Sequence, residues 1–506
     1  MKIERTKNTV RNSVWGIVSK IITTAFPVIV RTMIVRYMGA EYLGIGSLFS
    51  SILTVLSLAE LGISTAFVFS MYKPIADDDT KTICALMALY KKIYSIIGCL
   101  VAVIGVSLMP FLSKLINGES PDNINIYILY GIYLGNAVIG YFLFAYKNCL
   151  LTAHHRTDIS TKISIITATI QYCIAIFVIA FTKNYYAYAI LAPIASIANN
   201  LITAFYVTKK FPNYKAKGIL KPEILNDIKK RVAGLMLSKV AGTTRNTLDS
   251  IFISAFLGLT TVTMYGNYYC IMAAIISILA VITGGMSAGV GNSIAVETKE
   301  KNYNDLKKFT FIYGWLSGWC TICLTCLYQP AMYIWMGKDL MLPNKVVWLF
   351  SLYFYICTSS SMNSQYYNAV GLWWHGKIMT SAEAFFNLIL NYLLGKYLGI
   401  TGILLATIMT TIFSFIYIVA LIYKYYFNEF KISDCYKMHI KLFVITLFNT
   451  IITYKFCSII HGSGLFSFLL KCLICLIAPN AIYWIIYRNS NYYSQMRNMI
   501  LGIIRK

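Results

Sequence analysis

Apolar runs of about twenty residues recur along the whole chain, and as a helix each is long enough to cross about 30 Å of hydrocarbon. Fourteen such spans fall near residues 13–35, 45–70, 92–116, 124–146, 160–181, 185–207, 232–256, 262–292, 309–335, 346–370, 378–395, 400–424, 439–458 and 464–487. Inside a bilayer every backbone amide must be bonded within the chain, which leaves helices or closed barrels. Barrel strands alternate apolar and polar residues, and these runs do not alternate. The expected fold class is an all-α polytopic membrane protein with 14 transmembrane helices. Charged residues are 12% of the 506, where a soluble domain carries about 25%, so the chain cannot clothe a globule in water-compatible surface.

The net charge of +25 would suggest nucleic acid in a soluble protein. Here the distribution gives another reason, and no nucleic-acid partner is expected. With the N-terminus placed in the cytoplasm, 32 of the 44 Lys and Arg fall on inside segments and 7 on outside ones. The expectation is a multi-pass membrane protein with both termini cytoplasmic. The basic stretch from Lys209 to Arg231 is the longest inside run and reads as a topology determinant. The first apolar span runs too long for a cleavable leader and ends in Arg36-Tyr37 rather than small residues, so it is expected to stay as a helix.

The chain repeats. Lys20 and Gly39 find counterparts in Lys239 and Gly258 at an offset of 219, and "GISTAFVFS" from Gly62 matches "GMSAGVGNS" from Gly285 at an offset of 223. Spans 1–6 and 7–12 thus read as two pseudo-symmetric six-helix bundles entering the membrane in the same direction, with two C-terminal helices appended. The corresponding domain limits are 1–208, a basic cytoplasmic linker at 209–231, 232–430, and 431–506.

Charges inside these spans are costly, about 2.5–3.5 kcal/mol each on insertion scales, so they should face protein or a wet cavity. In "SKIITTAFPVIVRTMIVRYMG", Lys20, Thr24, Pro27 and Arg31 form one helical stripe. In the second span Ser50, Thr54, Ser57, Glu60 and Ser64 share a polar side. The seventh span holds Lys239, Arg245, Asn246 and Asp249, with Arg245 and Asp249 spaced to pair. Glu383 and Asn387 lie four apart in the eleventh span, and Lys471 lies in the fourteenth. The cations Lys20, Arg31, Lys239, Arg245 and Lys471 outnumber the carboxylates Glu60, Asp249 and Glu383. A water-filled, electropositive cavity between the halves is expected, suited to a phosphate or diphosphate group. The glycine-rich "TGGMSAGVGNS" from Thr283 reads as a close-packing face or a bend.

The 13 cysteines lie mostly in apolar runs and read as small core residues. Cys320, Cys323 and Cys326 recur every third residue on one helix, a packing face with no His or carboxylate near to complete a metal shell, so no metal is expected. His154-His155 is expected at the surface beside Arg156. No phosphate-binding P-loop, HExxH or nucleophile elbow is present.

Three stretches carry a family likeness: Tyr37 to Asp79, "DSIFISAFLGLTTVTMYGNYY" from Asp249, and "YLGITGILLATIMTTI" from Tyr397. They resemble Wzx-type polysaccharide (O-antigen or capsule) flippases of the multidrug, oligosaccharidyl-lipid and polysaccharide exporter (MOP) superfamily. The resemblance implies a MATE-like fold of fourteen helices and a V-shaped cleft. It implies, too, that an undecaprenyl-diphosphate-linked oligosaccharide passes from the inner to the outer leaflet by alternating access. The family's cationic lumen maps onto Lys20, Arg31, Lys239 and Arg245, and its acidic residues onto Glu60 and Glu383. Asp249, Asn246 and Asn387 join them as cavity or coupling groups. No cofactor is expected; coupling to Na+, H+ or membrane potential stays open, and partners include the bilayer, a polysaccharide polymerase and glycosyltransferases. The alternatives are a drug or organic-cation antiporter of the same superfamily, whose lumen should favour carboxylates, and an integral-membrane polymerase or glycosyltransferase. The latter needs a sizeable outward loop that this chain lacks, so the chain is not expected to be an enzyme.

Overall fold

The computed structural model describes the backbone of residues 5–504 apart from 61, 119, 122, 221 and 463. It describes the side chains of that range apart from 5–10, 13, 59, 145, 227, 230, 231, 233–246, 285, 288, 373, 374 and 499–504. Among the described residues there is no strand. Among the described residues ten helices are long and apolar enough to cross a membrane, and Ala40–Leu56, Ile126–Phe142 and Thr247–Leu257 are shorter apolar helices. The contacts divide the chain into two compact units, Met1–Thr263 and Met264–Lys506.

The first unit is built from α1 (Arg5–Tyr37), α2 (Ala40–Leu56), α3 (Ile63–Ala76), α4 (Thr80–Leu108) and α5 (Ile126–Phe142). It continues through the short α6 (Asn148–Ala153), α7 (Thr157–Thr182), the short α8 (Tyr185–Ala189), α9 (Leu191–Lys210) and α10 (Pro222–Leu257). Short polar side chains start several of these helices, since the first amides of a helix have no internal partner. Asp79 accepts from the Thr82 amide at 3.0 Å, Asn125 from Tyr127 at 3.0 Å, and Asn184 from Ala187 at 3.1 Å. Gly39 and Gly258, paired by the repeat, both adopt positive φ (123° and 86°) between consecutive helices. That conformation strains any residue with a Cβ.

The second span is not one helix. A 3-10 turn, Ser57–Glu60, separates α2 from α3, and Gly62 at φ 92° enters α3. The tenth span likewise divides, into α13 (Asn344–Ser359) and α14 (Ser361–Val370). By contrast the segment after Thr283, matched to Gly62 by the repeat, lies inside the unbroken α11 (Leu259–Val296). A Cβ built on Gly284, Gly289 or Gly291 meets nothing within 4 Å, so these glycines are not a close-packing face in this structure.

The second unit takes most of α11, then α12 (Lys299–Met336), α13, α14, α15 (Trp373–Leu398), α16 (Ile400–Tyr425), α17 (Ile432–Ile459), α18 (Leu465–Tyr487) and α19 (Asn491–Ile504). Thr298 starts α12 by accepting from the Lys301 amide at 3.2 Å. α12 is the post of this unit, packed by α13, α14, α17 and α18. Small residues on it set the spacing. A Cβ at Gly318 would collide with the Tyr483 hydroxyl and stand 2.7 Å from Thr446 Oγ1, so glycine lets α17 and α18 close on the post. The Trp315 indole donates to Asn480 at 2.9 Å, and Thr446 and Tyr483 are bonded at 2.7 Å.

His154 is buried rather than at the surface. Its ring packs against Phe211 and Tyr214, and Nδ1 lies 2.8 Å from the Leu150 carbonyl. Burial pushes its pKa below the ordinary histidine value. His155 alone keeps an outward place, stacked on Tyr72.

Candidate functional site

The cationic face of α1 begins with what it is not. Trp15 and Phe26 hold α1 to α7: Lys162 Nζ lies 4.7 Å above the Trp15 ring, and Phe26 stacks on Tyr172 at 5.3 Å. Lys20 and Arg31 each follow one of those aromatics by five residues, which turns them about 140° away around the helix. Lys20 is exposed and makes no ion pair with a described residue. Arg31 is half-buried and acts electrostatically on Tyr185 and Tyr188. Pro27, between them, has no amide hydrogen to give the Thr23 carbonyl.

Tyr188 lines a cavity of about 470 Å³ within the first unit, together with Ser50, Thr54 and Ser57. A second cavity of about 430 Å³ shares Ser57 and adds Glu60, Ser64 and Tyr141. The polar side expected along the second span therefore runs from one cavity into the other, with Ser57 common to both. The 3-10 turn lies at its centre, where the wall passes from α2 to α3. There Tyr94 donates to Glu60 Oε1 at 2.5 Å, and Tyr90 donates to Tyr94 at 3.0 Å. A carboxylate away from bulk water needs such donors. Tyr90 and Tyr94 lie one turn apart on α4, with Tyr90 stacked on Phe67 at 4.6 Å.

In the second unit Glu383, Asn387 and Asn391 are all buried on one face of α15 against α16. Asn387 Nδ2 donates to Thr410 Oγ1 at 3.2 Å, and Asn391 Nδ2 to Asn387 Oδ1 at 3.2 Å. Asp249 is fully buried in the first unit. The side chains of Lys239, Arg245 and Asn246 lie outside the described residues, and so does the Arg245–Asp249 pairing. The structure thus gathers the polar wall, Glu60 and the tyrosines beside Arg31 in one unit, and puts Glu383 with Asn387 in the other.

Sequence reasoning missed the tyrosines. Tyr90, Tyr94, Tyr133, Tyr141 and Tyr188 supply the hydroxyls around these cavities. The 39 tyrosines of this apolar chain are the signal that could have found them. A phenol buries its ring in an apolar setting while its hydroxyl still seeks a partner.

Residues 9–288, more than half of the chain, match the sequence pattern of a family described as "Polysaccharide biosynthesis protein". The chain belongs to this family. No curated protein matches it. Among solved structures it is similar to the lipid II flippase MurJ in an inward closed conformation. The TM-score is 0.69 at 18% identity, over 95% of this chain and 99% of that one. It is also similar to an outward-facing multidrug resistance MATE family transporter of the MOP superfamily (TM-score 0.56, 16% identity, 81% and 93% covered). A Vibrio cholerae MATE transporter, VcmN in a mutant form, gives TM-score 0.58 at 14% identity, over 84% and 98%. The family agrees with the polysaccharide-related likeness in the sequence, and the fold is the one that these transporters share.

Proposed function

We propose that the protein moves a polyprenyl-diphosphate-linked oligosaccharide from the cytoplasmic to the outer leaflet by alternating access, for surface polysaccharide synthesis. The observation that carries this reading is the exposed ammonium of Lys20, without a carboxylate partner among the described residues, on the same stripe as Arg31. An ammonium on a helix that crosses a bilayer needs water or an anionic guest, and Arg31 lies about 16 Å further along the same stripe. A diphosphate between lipid and sugar is such a guest, bound through charge-assisted hydrogen bonds. Lys239, which the repeat pairs with Lys20, and Arg245 are assigned to the same diphosphate-binding role in this reading.

Glu60 serves as the coupling group in this reading. It stands at the break in the second span, ringed by tyrosine hydroxyls, where a proton or Na+ exchanges for the phenolic hydrogen bond. Asp249, Asn246, Glu383 and Asn387 belong to cavity or coupling surfaces. The fourteen-helix count, the two six-helix bundles, the cytoplasmic termini and the inner-membrane location all belong to this proposal, as do the polymerase and glycosyltransferase partners.

Reconstitution in vesicles with a labelled polyprenyl-diphosphate glycan tests it, read as exchange between leaflets. Exchange that depends on the protein is expected. Full exchange by the Lys20→Ala, Arg31→Ala double variant, or dye efflux without any glycan movement, overturns it.

A further inference from the structure

Three cysteines meet in the second unit. Cys326 of α12, Cys457 of α17 and Cys475 of α18 are buried, and their sulfurs all lie within 4.8 Å of one another. The Cys457 and Cys475 sulfurs are 3.8 Å apart. The i, i+3 series on α12 gives only Cys326 to this group; folding supplies the other two from helices far along the chain.

The three helices are pinned to each other near the sulfurs. The Trp319 indole donates to the Cys475 carbonyl at 2.8 Å, and Asn449 Nδ2 to the Pro479 carbonyl at 2.9 Å. Gly318 and the Thr446–Tyr483 bond hold α17 and α18 on the post. Ligands on fixed elements are arranged before any ion arrives. There is also a way in: a cavity of about 380 Å³ has Cys326, Cys457 and Lys471 in its wall.

We propose that Cys326, Cys457 and Cys475 form a three-coordinate site for one copper(I) ion. Thiolate sulfur selects soft ions, and copper(I) is the soft first-row ion that thiolate sites favour. Zinc takes four ligands in a structural site, and among the described residues this group holds three, all sulfur. Binding exchanges protons for the metal with no change of oxidation state. Each thiol forms one S–Cu bond and releases its proton, and three protons leave through the cavity. The resulting complex carries two negative charges, and the Lys471 ammonium in the same cavity offsets one of them. The bound ion would tie α17 and α18 to α12.

Purified full-length protein, kept anaerobic and reduced in detergent, is titrated with copper(I) against the chelator bicinchoninate. One equivalent per chain is expected, with a near-ultraviolet sulfur-to-copper absorption and three sulfur neighbours by X-ray absorption. Cys475→Ser and Cys326→Ser should lose it, and Cys320→Ser should keep it. Where a variant fails to fold, the sulfur count from X-ray absorption on the unaltered protein still decides between the outcomes. Absence of uptake by the folded protein, uptake unchanged in the Cys326→Ser, Cys457→Ser, Cys475→Ser variant, or displacement of copper by equimolar zinc overturns the proposal.

Discussion

α1 and α12 are both long, apolar and membrane-crossing by composition, yet they are held in opposite ways. In the most apolar stretch of α1 only 11% of residues are buried, whereas in α12 the share is 56%. α12 uses glycines to draw helices in, and it carries tryptophans that bond across to α18. Along its shaft α1 rests on α7 through Trp15 and Phe26 and turns Lys20 and Arg31 away from those two contacts. The difference separates a helix built to bear load from one that keeps most of its surface for something else.

The largest effect should come from stripping α1. The Lys20→Ala, Arg31→Ala variant is expected to lose glycan exchange by about 100-fold or more, since two charge-assisted bonds to a diphosphate vanish together. Its level in the membrane should not change, because neither side chain packs the helix on α7. Immunoblotting beside the vesicle assay checks both halves of that statement.

The opposite result is expected on the post. Gly318→Ala brings a Cβ onto the Tyr483 hydroxyl, and overpacking of this kind costs about 1–3 kcal/mol. The thermal midpoint of the detergent-solubilised protein should fall, and Gly318→Leu should not accumulate at all. If Gly318→Ala leaves the midpoint alone while lowering exchange, α12 is not the passive member of the pair.

A smaller change sharpens the contrast inside the first unit. Glu60→Gln keeps a partner for Tyr94 but removes the charge. Exchange is expected to fall about tenfold and to lose its response to a proton or Na+ gradient, with Tyr94→Phe milder. Gradient-dependent exchange at full rate in Glu60→Gln would remove this carboxylate from coupling.

The smallest effect belongs to His154. Its pKa is lowered in the folded protein, so the unfolded chain binds the extra proton more readily as pH falls below the ordinary value of about 6.5. Stability should be flat above that pH and decline below it. His154→Phe should flatten the decline, as followed by thermal unfolding between pH 7 and pH 5.

Much of the fold is legible in the sequence, for a physical reason. Hydrocarbon enforces long apolar helices, so each span of the sequence contains helix, and the helical period alone aligns Ser50, Thr54, Ser57, Glu60 and Ser64 on one wall. The break at Ser57–Glu60 is not legible, because its cause is a single positive-φ glycine beside residues that also suit a helix. Nor could spacing announce Tyr94 for Glu60, or Cys457 and Cys475 for Cys326. Those partners arrive from other helices, and periodicity along one helix carries nothing about its neighbours. His154 defeats sequence reasoning for the same reason: Phe211, which covers it, lies far along the chain.

The foot of α1 differs from its shaft. Asp158, buried at the start of α7, forms ion pairs with Arg11 (Nε at 2.9 Å) and Arg156 (Nε at 3.0 Å), while its own amide donates to Asn12 at 2.8 Å. A rod clamped at its base has its freedom set by geometry: displacement grows with distance from the clamp. Arg31 stands about 30 Å up that rod from Arg11. A tilt of a few degrees about Asp158 therefore carries the guanidinium through an ångström or more, while the base scarcely stirs.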